Sequence, residues 1–378
     1  VTSEAVTRNE DTAAAETSET MLPNAAIADA AARLRAGELV AFPTETVYGL
    51  GAHALDADAV ARLFAAKGRP AWNPVIVHVP DIAGARALVA EWPARAQRLA
   101  EACWPGPLTL ILRRAPHVPD GVTAGTETVG IRVPAHPIAL ALLRAAGIPV
   151  AAPSANRFTQ LSPTTADHVR RALGDRVACI LDGGPSAVGI ESTVLDLTGD
   201  VPRVLRSGLL DADTLATLLG EPVAIGAAHT PTGDAPRPSP GMVDRHYAPR
   251  AELWLVAEDA RAEAEAALDR RLAEADAMAR TDALSEADAL ATASTSAPTS
   301  AGRTSRPLVA AIAIGDGWAP AAAHRVVRLP ADPAGYARAL YATLHELDAA
   351  GCTLVVVRSP PADGAWRGIH DRLTRATH

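Results

Sequence analysis

The sequence predicts an α/β protein of two domains. A larger twisted open sheet with flanking helices comes first, and a smaller Rossmann-like α/β unit follows. Three observations lead there. Up to about residue 220, short apolar runs alternate with helical patterns without a fixed repeat, as in a sheet with helices packed on it. A stretch dense in Pro and Gly, Gly220 to Pro249, then breaks the pattern, and beyond it the alternation resumes. At 378 residues the chain also exceeds the roughly 250–300 residues that one core organises.

Taken in order, residues 1–22 are rich in Ala, Glu, Thr and Ser without apolar periodicity, and are expected to form a disordered tail. The first domain spans 23–220. An alanine-rich helix over Ala25–Ala36 is ended by Gly37, and Glu38–Phe42 reads as a buried strand. A helix over Asp56–Ala66, a strand over Pro74–Val79 and helical stretches up to Ala102 come next. Strands at Leu108–Leu112 and Val129–Val133, a helix at Pro137–Ala146 and a strand at Ile148–Ala151 continue the series. A helix at Thr164–Leu173 leads to strands near Cys179–Leu181 and Ser192–Leu197. Residues 221–250 form an irregular linker marked by Pro231, Pro236, Pro238 and Pro240. The second domain, 251–378, carries strands at Leu253–Val256, Leu308–Ile314, Val326–Leu329 and Leu354–Val357. Its helices are expected at Glu258–Arg280, Pro333–Ala350 and Trp366–Arg375, with 281–306 a low-complexity surface insertion.

Composition narrows the function. Hydrophobic residues make up 48% and aromatics only 3%, so the core is built from Ala, Val, Leu and Ile. A net charge of -8 excludes an overall basic field for nucleic acid or anionic membrane, though not a local basic pocket. Cys103, Cys179 and Cys352 form no C-x-x-C pair, which argues against a disulfide framework or a thiolate zinc site. No apolar run reaches the roughly 18 residues that span a bilayer, and no secretory signal is visible, so a cytoplasmic protein with no membrane contact is expected. One count is sharper. Lys67 is the sole lysine among 35 basic residues. A position that keeps Lys where all others have become Arg suggests a need for a compact ammonium, which a planar guanidinium cannot replace.

Several strong motifs are absent: there is no G-x-x-x-x-G-K-[ST] loop, no H-E-x-x-H helix and no G-x-S-x-G elbow. Gly49-Leu50-Gly51 is half a dinucleotide fingerprint and reads as a tight turn. What remains is a set of polar segments placed near apolar strands, where open α/β sheets bind ligands. They are Pro43-Thr44-Glu45-Thr46-Val47-Tyr48-Gly49, Lys67-Gly68-Arg69-Pro70 with Asn73-Pro74 and His78, Trp104-Pro105-Gly106-Pro107, Thr128 to Arg132, Ala152-Pro153-Ser154-Ala155-Asn156 with Ser162-Pro163-Thr164, Gly189-Ile190-Glu191-Ser192-Thr193, and Arg206-Ser207-Gly208. Singly, each has a structural explanation: cap hydroxyls, Asx turns, a core histidine at His78. Arg132, between Ile131 and Val133, is harder to explain so, because a cation in an apolar strand needs a partner and a ligand carboxylate can serve.

In this order the motifs resemble the YrdC/Sua5 family, the threonylcarbamoyl-adenylate synthases. The likeness covers about residues 24–215 for the YrdC-like domain. Through Pro240-Gly241-Met242 and His246-Tyr247-Ala248-Pro249 it continues into the smaller Sua5 domain. The resemblance implies a nucleotidyltransferase that joins L-threonine, bicarbonate and ATP into threonylcarbamoyl-AMP and pyrophosphate. A downstream transferase machinery then uses the product for N6-threonylcarbamoyladenosine at position 37 of tRNA, with room for a weak direct RNA contact. It further implies an L-threonine pocket in which Arg132 clamps the carboxylate and Thr44, His78, Ser192 and the Ala152 backbone line the rest. Lys67, Arg69 and Arg206 fall on the ATP phosphates; Thr128, Ser154, Asn156, Ser162 and Asn73 are nucleotide contacts; Tyr247 is a lid. Mg2+ is expected to arrive with ATP, without a dedicated metal site. Three other readings stand beside this one: an RNA-binding module; a carbamoyl-adenylate enzyme of hydrogenase maturation, whose zinc-finger cysteines are absent here; and a C-terminal unit that senses nucleotide, against which stands the lack of a phosphate loop.

Overall fold

The computed structural model describes residues 24–226, 235–241, 246–292 and 307–377. The expected tail at 1–22, Met242 and residues 293–306 lie outside them. The first domain runs α1 (Asn24–Arg35), β1 (Val40–Phe42), β2 (Gly49–His53), α2 (Ala57–Lys67), β3 (Ile76–His78), α3 (Ile82–Arg86), α4 (Ala94–Cys103), β4 (Leu108–Arg113) and α5 (Asp120–Thr123). It continues with β5 (Thr128–Arg132), α6 (Pro137–Ala146), β6 (Val150–Ala151), α7 (Ala166–Leu173), β7 (Cys179–Ile180), β8 (Thr193–Asp196), β9 (Arg203–Arg206), α8 (Ala212–Leu219) and β10 (Ala224–Ile225). Its mixed sheet has the order β10-β9-β8-β4-β5-β3-β6-β2-β1-β7. The second domain runs β11 (Glu252–Val256), α9 (Arg261–Thr292), β12 (Val309–Ile314), β13 (Arg325–Leu329), α10 (Pro333–Ala349), β14 (Leu354–Arg358) and α11 (Arg367–Ala376). Its four strands, ordered β11-β14-β12-β13, are all parallel.

Local chemistry sets the ends that matter for the site. The Asp56 carboxylate caps α2 by accepting from the Asp58 and Ala59 amides, and Gly68 stops the helix in the left-handed region at φ 62°. Lys67 is therefore the last residue of a rigid helix, and Arg69 leaves directly after it. Across the parallel β3–β5 pair, His78 is the register partner of Arg132. Neighbours in register share a face, so the two side chains stand together.

Three expectations change. Gly49-Leu50-Gly51 is not a turn but part of β2, antiparallel to β1. Its glycines serve packing, since a Cβ on Gly51 would lie 3.0 Å from both the Phe42 ring and Val150 Cγ1. The linker opens as sheet, with β10 pairing parallel to β9, because Ala224-Ile225 offers a short apolar edge strand. Helix α9 continues past Arg280 to Thr292, into the expected insertion, because Ala, Glu and Leu there favour helix. Among the described residues no helix is long and apolar enough to cross a membrane.

The domains share a core. Val47, Leu161 and Ile190 of the first cluster with Tyr247 of the linker and with Tyr336, Leu340, Tyr341 and Ile369 of the second.

Candidate active site

A cavity of about 50 Å3 lies where β1, β3, β5, β8 and β9 meet the linker. It is lined by Thr44, His78, Arg132, Ala152 and Ser192 of the expected amino-acid pocket, and by Arg69, Ser154, Arg206 and Tyr247 of the expected nucleotide set.

Thr44 follows β1 in a tight hydroxyl-stabilised turn. Its Oγ1 accepts from the Thr46 amide at 3.2 Å and the Val47 amide at 3.3 Å, and donates to the Val47 carbonyl at 2.6 Å. That turn presents Thr46, whose hydroxyl accepts from Arg132 Nη1 at 2.9 Å. Arg132 Nε donates to the Gly106 carbonyl at 3.1 Å. Its Nη2 lies 2.6 Å from Glu45 Oε1. The two form a buried ion pair outside hydrogen-bond geometry, and Glu45 stands behind Arg132 rather than on the cavity lining. His78 is buried against the edge of Phe42, and its Nδ1 has no hydrogen-bond partner. Burial, with Arg132 alongside, pushes its pKa down to about 3, so the ring is neutral at pH 7. Buried polar atoms without partners are rare, and the partnerless His78 Nδ1 beside Arg132 in one small space marks a place for a polar ligand.

The opposite wall is cationic. Lys67 is buried, and its ammonium donates to the Ser154 carbonyl at 2.5 Å and to the Asn156 carbonyl. It touches only carbonyl and amide oxygens, and burial, followed by Arg69, pulls its pKa well below that of a free lysine. Arg69 donates to Asn73 Oδ1 at 2.7 Å and to the Pro74 carbonyl at 2.6 Å, with Phe64 and Phe158 each 6.0 Å from its guanidinium. Arg206 holds Ser192 by its carbonyl and its hydroxyl, both at 3.1 Å. Three buried cations converge with little carboxylate to balance them, an arrangement suited to a multiply charged anion.

Not every expected residue reaches the cavity. Lys67 and Asn156 stand behind its wall, and Asn156 spends both amide hydrogens on the Arg157 and Gln160 carbonyls, holding that loop. Asn73 acts through Arg69. Ser162 donates to Glu191 at 2.5 Å. Thr128 lines a separate pocket of about 10 Å3 with Thr126 and Pro238. Ile76 and Pro240 line both spaces, so the linker segment forms part of the partition between them.

Other cavity residues went unassigned from the sequence. Thr46 lines the cavity from the polar segment that follows β1, and Glu45 of the same segment stands behind Arg132. Glu191 lines the cavity from the loop just before β8. His246 lines the cavity, edge-on to Phe158, and burial with the surrounding Arg69 and Lys67 drives its pKa well below the usual value. The linker is held down by hydrogen bonds from the His246 amide to Arg375 and from the Ala248 amide to Thr159. Tyr247 adopts a left-handed φ of 61°, an uncommon backbone for a bulky residue.

Residues 32–208 match the family model described as telomere recombination, Sua5_yciO_yrdC, and residues 210–377 match the C-terminal domain of threonylcarbamoyl-AMP synthase. The chain belongs to the Sua5/YrdC family. Threonylcarbamoyl-AMP synthase of Bacillus subtilis is 50% identical over 231 residues, and that of Pyrococcus abyssi 48% over 227, each match covering 60% of this chain. The matched stretches span 65% and 66% of those relatives. Among solved structures, an alanine double variant of P. abyssi Sua5 superposes with a TM-score of 0.78 at 35% identity, covering 95% of both chains. The P. abyssi protein complexed with L-threonine gives the same score and identity over 94% of this chain and 95% of the other. Both family domains are thus present in sequence and in fold.

Proposed function

We propose that this chain makes threonylcarbamoyl-AMP and pyrophosphate from L-threonine, bicarbonate and ATP, in the cytoplasm, for a transferase that modifies tRNA. The observation that carries the proposal is one cavity lined by Arg132 and by His78, whose Nδ1 has no partner, together with Arg69 and Arg206. The relative solved with L-threonine supports the amino-acid half of that division.

The threonine carboxylate takes Arg132 Nη2 in exchange for its ion pair with Glu45, and neutral His78 offers a ring nitrogen to the amino or hydroxyl group. The amine adds to bicarbonate with loss of water, forming a carbamate. A carbamate oxygen attacks the α-phosphorus and pyrophosphate leaves. No protein nucleophile is needed, because positioning two anions in line supplies roughly 7–11 kcal/mol and fixed donors on the phosphates add several more. Lys67, Arg69 and Arg206 neutralise the triphosphate. Magnesium enters with ATP as part of that substrate. Among the described residues no three His, Cys, Asp or Glu side chains form a metal cluster, and Glu45 and Glu191 each face an arginine.

At about 50 Å3 the cavity is far smaller than the roughly 300–1,000 Å3 of small-molecule sites. Withdrawal of Pro238–Gly241 and His246-Tyr247 would open it and join it to the Thr128 pocket. The linker then closes behind the substrates as a lid that excludes water from a labile adenylate. Mass-spectrometric detection of threonylcarbamoyl-AMP from purified protein, ATP, bicarbonate and threonine tests the proposal. The expected product vanishes when threonine is omitted; its absence from the complete mixture refutes the assignment.

A further inference from the structure

Helix α11 of the second domain sends Arg372 into the wall of the cavity. The side chain is 0% exposed, and its Nε donates to Glu191 Oε2 at 2.8 Å. The Tyr341 hydroxyl, from α10, donates to the same oxygen at 3.2 Å, while Ser162 of the first domain holds the other. Glu191 itself lines the cavity between the linker and Ser192. The Arg372 guanidinium also lies 5.0 Å from the Tyr247 ring.

The backbone is shaped for this contact. A Cβ on Gly368 would sit 2.7 Å from the Gly208 carbonyl, so α11 packs directly on the loop after Arg206. Gly189, at φ 85°, leaves no room for a side chain against the Ala337 carbonyl, so α10 packs directly on the loop that carries Glu191. Arg338 Nε adds a hydrogen bond to the Ala187 carbonyl at 2.8 Å. The loop after Arg206 and the loop that carries Glu191 are thus both clamped by the second domain.

A carboxylate beside a triphosphate site is a liability. Unpaired, Glu191 would repel the phosphates and compete for Arg206. Burial opposes its ionisation, but Arg372 and then Arg206 outweigh that and hold its pKa below the ordinary value. The protein therefore keeps a buried anion there and covers it from the other domain.

Resting on the synthase reading, we propose that Arg372 is a positioning residue for the ATP subsite. It acts through Glu191, cancelling a carboxylate that would otherwise repel the triphosphate, and so makes nucleotide binding by the first domain depend on docking of the second.

The test is a mutant cycle in the full chain, read as KM for ATP, KM for threonine, and ATP affinity by calorimetry without threonine. Arg372→Met is expected to raise the ATP KM and Kd at least tenfold and the threonine KM less than threefold. In the Glu191→Gln background, where no charge needs covering, the same change is expected to cost less than threefold. Should Arg372→Met not fold, Tyr341→Phe serves instead, with a rise of about threefold in the ATP KM that disappears in the Glu191→Gln background. Equal rises in both KM values, or a cost undiminished once Glu191→Gln has removed the charge, overturn the proposal. Calorimetry reads ATP affinity without turnover, so a wild-type protein that binds ATP but makes no threonylcarbamoyl-AMP refutes the synthase reading and not this one.

Discussion

Lys67→Arg isolates the demand for a compact ammonium. The wild-type group is buried, within 2.5 Å of the Ser154 carbonyl and also bonded to that of Asn156. A guanidinium is larger and planar, and overpacking of this kind costs about 1–3 kcal/mol. The side chain is expected to shift toward the cavity and lose its aim at a phosphate oxygen. One hydrogen bond to a charged group is worth about 1.5–3 kcal/mol, so kcat/KM for ATP should fall roughly 10- to 150-fold. Linkage gives a second readout. The buried Lys67 has a pKa well below a free lysine's, from burial and Arg69. An arriving triphosphate raises it, so ATP binding takes up protons and weakens as pH rises past the free protein's value. Threonine-dependent pyrophosphate release measures the first effect, and calorimetry in buffers of different ionisation enthalpy the second. A folded Lys67→Arg variant with wild-type kcat/KM, or wild-type binding without proton uptake across that range, would refute the reasoning.

Other perturbations separate the two halves of the site. Arg132→Lys keeps the charge but loses the fork that spans Gly106, Thr46 and Glu45. The threonine KM should rise about 10- to 100-fold, by the loss of one or two charge-assisted bonds, with little change for ATP. Gly368→Ala places a methyl 2.7 Å from the Gly208 carbonyl, and chemical denaturation should show a loss of about 1–3 kcal/mol; an unchanged midpoint would mean the domains do not pack there in solution. Stability should also fall with acid before the carboxylates titrate. Burial, with Arg132 nearby, holds His78 at about 3; burial holds His345 at about 4 and His246 well below its usual value. Unfolded histidines bind protons below about 6.5. Stability is therefore full above that pH and declines down to about 3–4, by up to about 1.4 kcal/mol per pH unit for each histidine. A urea midpoint equal at pH 7.5 and pH 5 contradicts this.

Some of this was legible along the chain because the signals are local. Asp56 and Gly68 mark both ends of α2 and so fix where Lys67 and Arg69 emerge. Val, Ile and Leu runs mark β4, β12 and β14, buried strands with little alternation. Arg132 inside such a run announced a partner. Strand β2 was not legible, because Gly49, Leu50 and Gly51 have weak strand preference and pair only because β1 and β6 flank them. Asn156 looked like a ligand contact, yet its amide is spent on its own loop, a choice set by chain geometry.

By itself, then, the sequence determined the α/β class and half of the residues that line the cavity, since composition, periodicity and caps act over a few neighbouring residues. Only the tertiary structure decided that Glu45 faces Arg132, that the linker fills the mouth of the site, and that Arg372 reaches Glu191 from 181 residues away. On α11, Arg372 is buried. Its burial comes from two glycines that let helices of one domain touch the backbone of the other, and nothing local to residue 372 records that approach.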